Sequence, residues 1–397
     1  MKYDFNRVVN RYDTASVKWD EVEKRFGEKD LLPMWVADMD FMVPPPVLDA
    51  IKRRAEHGIM GYTSQPESYF DAVMDWMEKR HKWTIKKEWI YFSPGVVPGL
   101  NMIIQAFTSP GDKILIQPPV YYPFAGSIIN NGRQLVYNQL LFEDGLYKID
   151  FNDLFKKLAG KDVKLLILCS PHNPVGRVWS KEELAELGDM CLDCQTLVVS
   201  DEIHCDITYE NYVHIPFCAV SDEFGKNSIT CTAPSKTFNM PGLQTANLII
   251  PNPAIAETYA RYMKKLGLLR PNVFGILLTE SAYRCGSKWL DQLLEYLQQN
   301  LVFLTGYIRD RIPQIKVVKP EGTYLVWLDC RDLGLGVKQL EQFMLKQAKV
   351  ALDDGYIFGP GGEGFTRINI ACPRSTLEEG LRRIETAVKK LSVMNDS

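Results

Sequence analysis

Between about positions 89 and 250 the chain returns repeatedly to short runs of β-branched and apolar residues, each separated from the next by a longer amphipathic stretch. The runs fall at 89–92, 113–116, 134–137, 164–168, 196–199, 228–231 and 247–250. Such alternation suits a parallel sheet whose strands are buried on both faces beneath covering helices. After about position 285 the texture changes to one long helical segment, two strand-like runs at 323–328 and 365–370, and a closing amphipathic helix. This predicts a second, smaller α+β domain.

Charge and composition narrow the function classes. With 46 Lys+Arg against 49 Asp+Glu the formal net charge is −3, which offers no field to attract nucleic acid or an anionic membrane. No segment approaches the ~20 apolar residues that a membrane span needs, and positions 1–7 lack the apolar core of a signal peptide. A soluble, unprocessed chain is the expectation. Its nine cysteines are odd in number and mostly flanked by apolar residues, as buried thiols are, so a reducing, cytoplasmic setting is expected. Cys191 and Cys194 form a CxxC, but they fall late in a helical pattern opened by the capping-box sequence at 180–183. With no second pair of ligands, no metal site is expected.

In an open α/β sheet, ligands lie beyond the carboxyl ends of the strands, so the residues after each apolar run carry the search for chemistry. After 89–92 comes Ser93-Pro94-Gly95-Val96-Val97-Pro98, a sharp turn into a helix that aims the N–H groups of Val96 and Val97 outward, as phosphate binding requires. After 113–116 comes a Pro-rich turn with Tyr121 and Tyr122, able to present an aromatic face to a flat ligand. After 164–168 stands Asn173 between two prolines; after 196–199 stands Asp201; after 228–231 stands Lys236. Singly, each has an ordinary structural explanation as a turn, a cap or an ion-pair partner. Together they supply what pyridoxal phosphate needs: an amine for its aldehyde, a carboxylate for its ring nitrogen, and backbone donors for its phosphate.

On these stretches, and on 35–41, Gly61-Tyr62, 119–124, 170–177, 200–204, 233–239 and 367–369, the chain resembles the fold-type I pyridoxal-phosphate enzymes of the class I/II aminotransferase superfamily over nearly its whole length. Within them it is similar to the carbon–sulfur β-lyases of the cystathionine β-lyase and cystalysin type. The resemblance implies an α/β, aspartate aminotransferase-like fold, with a large domain over 45–284 built on a mostly parallel seven-stranded sheet. A small α+β domain over 285–397 would be completed by the N-terminal segment, 1–44. It also implies a homodimer with shared active sites. Lys236 would then bond to the cofactor aldehyde, Asp201 pair with the ring nitrogen, Asn173 and His204 serve the ring oxygen, and Tyr121 stack on the ring. Val96, Val97 and Ser235 would hold the phosphate, reached also by the partner subunit's Tyr62. Arg367, with its planar fork, would clamp the substrate carboxylate, with Ala37 and Tyr122 beside the substrate.

Two departures separate this chain from the aminotransferase pattern. His204 stands where aminotransferases have a tyrosine three residues after the aspartate, and Gln244 where they have an arginine eight residues after the lysine. Both match the lyase branch. The resulting expectation is α,β-elimination from L-cystathionine or a related S-substituted L-cysteine, giving a thiol, pyruvate and ammonia. An aminotransferase of small amino acids, or a lyase-like protein with a regulatory protein-binding role, are the alternatives the resemblance leaves open.

Overall fold

The computed structural model describes residues 2–395. All seven apolar runs form strands: β1 (Ile90–Ser93), β2 (Lys113–Ile116), β3 (Gln134–Tyr137), β4 (Val163–Cys169), β5 (Leu197–Asp201), β6 (Ser228–Thr232) and β7 (Ala246–Ile249). They make one seven-stranded sheet in the order β1-β7-β6-β5-β4-β2-β3. Six strands point the same way; β7 alone runs antiparallel to both its neighbours. The central strands are buried on both faces, with every residue of β6 enclosed, which is why they read as unbroken apolar runs rather than alternating ones. Fully burying a side chain such as Leu165 or Ile167 contributes roughly 1.5–3 kcal/mol.

Two helices bear on the site, and a third bears out a sequence signal. Helix α1 (Val96–Phe107) leaves β1 through Gly95, at φ 110°, ψ 163°. Helix α2 (Lys181–Asp193) starts from the capping box of Ser180 and Glu183, as its sequence predicts, and Cys191 and Cys194 lie at its far end. The short α3 (Pro234–Thr237) follows β6 and carries Lys236.

The later part of the chain adds a long helix, α4 (Ser287–Arg311), and an antiparallel four-stranded sheet. Its strands are β8 (Lys316–Val318), β9 (Leu325–Asp329), β10 (Asp353–Asp354) and β11 (Phe365–Asn369), in the order β8-β9-β11-β10, and helix α5 (Arg374–Asn395) closes the chain. The two strand-like runs of the sequence are β9 and β11. The flanking strands β8 and β10, and the hairpin of Leu141–Glu143 with Leu146–Lys148, were not anticipated, because two or three residues carry no periodicity. Leu32–Pro33 pairs in parallel with Val350–Ala351, Lys349 meets Glu28 at 2.9 Å, and Arg383 donates to the Asp30 carbonyl at 3.0 Å. One apolar cluster accordingly runs from Phe5 through Trp76 and Trp289 to Leu381. No helix among the described residues is long and apolar enough to cross a membrane.

Candidate active site

A cavity of about 220 Å³ opens beyond the carboxyl ends of the parallel strands. Its wall brings together Ala37, Val96, Val97, Tyr121, Asn173, Asp201, His204, Ser235 and Lys236 from six separate stretches of chain. Gln244 also lines it, so Asp201 and Lys236 are the charged groups of the lining.

Lys236 Nζ donates to the Ala37 carbonyl at 2.7 Å. Desolvation is the largest influence on its amine and brings it down from 10.5 to about 8, with Arg367 acting in the same direction and Asp38 and Asp201 opposing. Asp201 is 4% exposed at the end of β5, and its carboxylate accepts from Ile203 N at 3.1 Å. Burial raises it from 3.8 to about 7, against the Ile203 N–H and the charge of Lys236. A buried carboxylate so poorly compensated is fitted to a cationic N–H arriving from the cavity. His204 is held neutral, its pKa pushed well below 6.5 first by burial, then by Lys236 and Arg367. Its Nδ1 has no partner, a second buried polar atom at the cavity wall awaiting one.

At the other end of the cavity, Gly95 turns β1 into α1 without a side-chain cap on the first N–H groups. Val96 and Val97 therefore present free donors and the positive end of the helix dipole to the cavity. Ser235 stands beside them in the lining. An anion-binding helix terminus, a free carboxylate and an amine in one cavity fit pyridoxal phosphate group by group.

Asn173 ties the aromatic loop to the cation. Its carbonyl accepts from Tyr121 N at 2.9 Å and its Oδ1 accepts from Arg367 Nη1 at 2.8 Å. Arg367 lies on β11, an interior strand of its sheet, and is 3% exposed, so it is no ordinary surface residue. Its Nη2 donates to the Trp35 carbonyl at 3.0 Å and to Asp353, while Nε has no partner. Asp353 escaped the sequence reading. A two-residue strand leaves nothing to detect, and only its opposition to Arg367 across β10 and β11 reveals it.

Three anticipated residues stand outside the cavity wall. Arg367 lies behind it, joined to it through its bond to Asn173. Tyr122 is 38% exposed, next to Tyr121, with ring centroids 5.6 Å apart. Tyr62 is fully exposed on a segment without helix or strand, so within one chain it does not join the site. Cys169, Ile203, Pro241 and Thr245 also line the cavity and carried no signal beyond their neighbours.

The family described as aminotransferase class I and II matches residues 29–384. The chain belongs to that family. Among its curated members, cystathionine beta-lyase PatB of Bacillus subtilis is 47% identical over 97% of this chain and 100% of its own length. Protein MalY of Escherichia coli is 34% identical over 98% of this chain and 99% of its own. The family also supplies solved structures of the same fold. Cystalysin from Treponema denticola, which contains a pyridoxal 5'-phosphate cofactor, superposes with a TM-score of 0.96 at 39% identity, covering 98% of this chain and 100% of that one. The PLP-bound C-S lyase of Staphylococcus hominis gives 0.91 at 35%, covering 98% of each. The aspartate aminotransferase-like α/β fold expected from the sequence is thereby established.

Proposed function

We propose that this protein is a pyridoxal-phosphate-dependent carbon–sulfur β-lyase that eliminates the thiol from L-cystathionine or a related S-substituted L-cysteine. The observation that carries the reading is the cavity shared by Lys236 and Asp201 at the N-terminus of α1. Its family relatives named cystathionine beta-lyase and C-S lyase support the same reaction. When bound, pyridoxal phosphate supplies the aldehyde and the electron sink that this chemistry needs.

The chain's own residues do the rest. Lys236, with an amine near 8, is neutral in a useful fraction at physiological pH and accepts the substrate Cα proton. Arg367 binds the α-carboxylate and so aims Cα at Lys236. Asp201 holds the ring nitrogen of the cofactor and stabilises positive charge there. Tyr121 stacks against the ring, and burial raises its hydroxyl pKa, keeping it protonated as a donor. Val96, Val97 and Ser235 take the phosphate, and the neutral Gln244 puts weight on a further donor, which we assign to the partner subunit's Tyr62. Asn173 and His204 serve the ring oxygen.

The homodimer with shared sites is part of this proposal, supported by the exposure of Ile59, Met60 and Tyr62 in one short stretch. So is a cytoplasmic setting, supported by nine free thiols, eight of them buried. The division at 44 and 284 is proposed likewise, supported by the contacts of Glu28, Asp30 and Leu32 with the later part of the chain. The test is direct: purified protein given L-cystathionine and no keto acid should release pyruvate and ammonia stoichiometrically. A requirement for an added keto acid would make it an aminotransferase instead.

A further inference from the structure

Arg25 is a cation that the reaction just described leaves without a task. It lies in the short helix Val22–Phe26, with its guanidinium carbon 4.4 Å from the centroid of the Trp35 ring. The main-chain oxygen of that same Trp35 accepts from Arg367. Tyr122 borders both arginines: burial and Asp353 raise its hydroxyl, while the charges of Arg367 and Arg25 and a hydrogen bond with Arg25 pull it down. Asp353 feels the same two cations, Arg367 first. Arg25 therefore shares Trp35, Tyr122 and Asp353 with the proposed α-carboxylate clamp, on the solvent side of it, for Arg25 is exposed and Arg367 enclosed.

Among the described residues Arg25 makes no ion pair. Stacked on the indole, the Arg25 guanidinium is held in plane; it is hydrogen-bonded to Tyr122 but has no carboxylate partner, which leaves N–H donors for a carboxylate from outside. A substrate anchored by its α-carboxylate at Arg367 extends its S-substituent away from the cavity floor. In L-cystathionine that substituent ends in a second carboxylate. We propose that Arg25 binds a carboxylate at the far end of the S-substituent, so that the enzyme prefers thioethers ending in an acid over neutral ones of equal length. The inference rests on the β-elimination reading, which supplies the thioether. A purely structural Arg25, serving only to cover Trp35, makes a different forecast.

The experiment compares S-(2-carboxyethyl)-L-cysteine with S-propyl-L-cysteine on the holoenzyme, for wild type, Arg25→Gln and Arg25→Lys. Pyruvate release gives kcat/KM, and the change in cofactor absorption on rapid mixing gives binding without turnover. For Arg25→Gln the acid-to-neutral ratio should fall about tenfold or more, chiefly through KM, as loss of a charge-assisted bond implies. Arg25→Lys should recover part of it, and added salt should weaken the wild-type preference. An unchanged ratio, or an equal loss on both substrates, overturns the proposal. The two readings fail separately. Pyruvate formation with a binding ratio indifferent to Arg25 sinks the carboxylate site alone, whereas Arg25-dependent binding without pyruvate sinks the elimination alone.

Discussion

Asp201 holds a proton in the fold that the unfolded chain would give up, since burial raises it from 3.8 to about 7. Native protein therefore binds more protons than unfolded protein between about pH 4 and 7, and stability falls as pH rises through that window. Asp201→Asn mimics the protonated form and escapes the loss. In cofactor-free protein the variant's advantage in thermal unfolding should grow from pH 4.5 to 7.5, reaching a few kcal/mol; a difference flat across that range would remove the burial argument. Asp353 poses the complementary case. It neutralises Arg367 in a buried pair, so Asp353→Asn should destabilise by about 3 kcal/mol, the scale of removing one member of such a pair. Removing a negative charge beside the clamp should at the same time lower KM for S-propyl-L-cysteine. A fall in unfolding temperature together with a fall in KM is the signature; a raised KM would make Asp353 a support that substrate binding needs. Lys236, Asp201 and Asn173 were legible because each lies in the turn that follows a strong apolar run. Asp353 and Arg25 were not, because one sits on a two-residue strand and the other in a five-residue helix among other surface charges.

The turn from β1 into α1 shows how an element, rather than a side chain, makes a binding site. Gly95 adopts φ 110°, ψ 163°, a region essentially closed to residues with a Cβ, and that conformation points the first donors of α1 into the cavity. A Cβ there would meet Pro98 at 3.4 Å, ordinary contact, so the cost of Gly95→Ala is backbone strain and not collision. The variant should lose about 1–3 kcal/mol, expressed as lower stability or as weaker pyridoxal-phosphate binding when the turn relaxes. Fluorescence titration of the cofactor and thermal unfolding together capture both forms. Gly242→Ala is the control, since nothing lies within 4 Å of its added Cβ; equal losses in the two variants would show that α1 has no special part. Element identities came through the sequence because buried parallel strands leave unbroken apolar runs. The reversal of β7 did not, because its four buried residues read the same in either direction.

At the scale of the whole molecule the question is whether one chain makes a complete site. The cavity holds neutral Gln244 where a cation would help an anion, and Tyr62, proposed as the compensating donor, is fully exposed and outside the cavity wall of its own chain. Ile59 and Met60, 68% and 49% exposed, flank it in the same segment, an apolar stretch that a second copy would cover. No pattern in one chain's sequence encodes such an arrangement; only the family resemblance pointed to it. In a two-fold dimer each site would combine Lys236 of one chain with the partner subunit's Tyr62. The inactive variants Lys236→Ala and Tyr62→Ala, mixed under subunit exchange, then form hybrids in which both lesions fall in one site and the other is intact. With free exchange half the dimers are hybrids and each carries one working site of two, so activity should return to about a quarter of wild type. Hybrids shown to form yet still inactive would mean that Tyr62 serves its own chain, and the shared site would have to be abandoned.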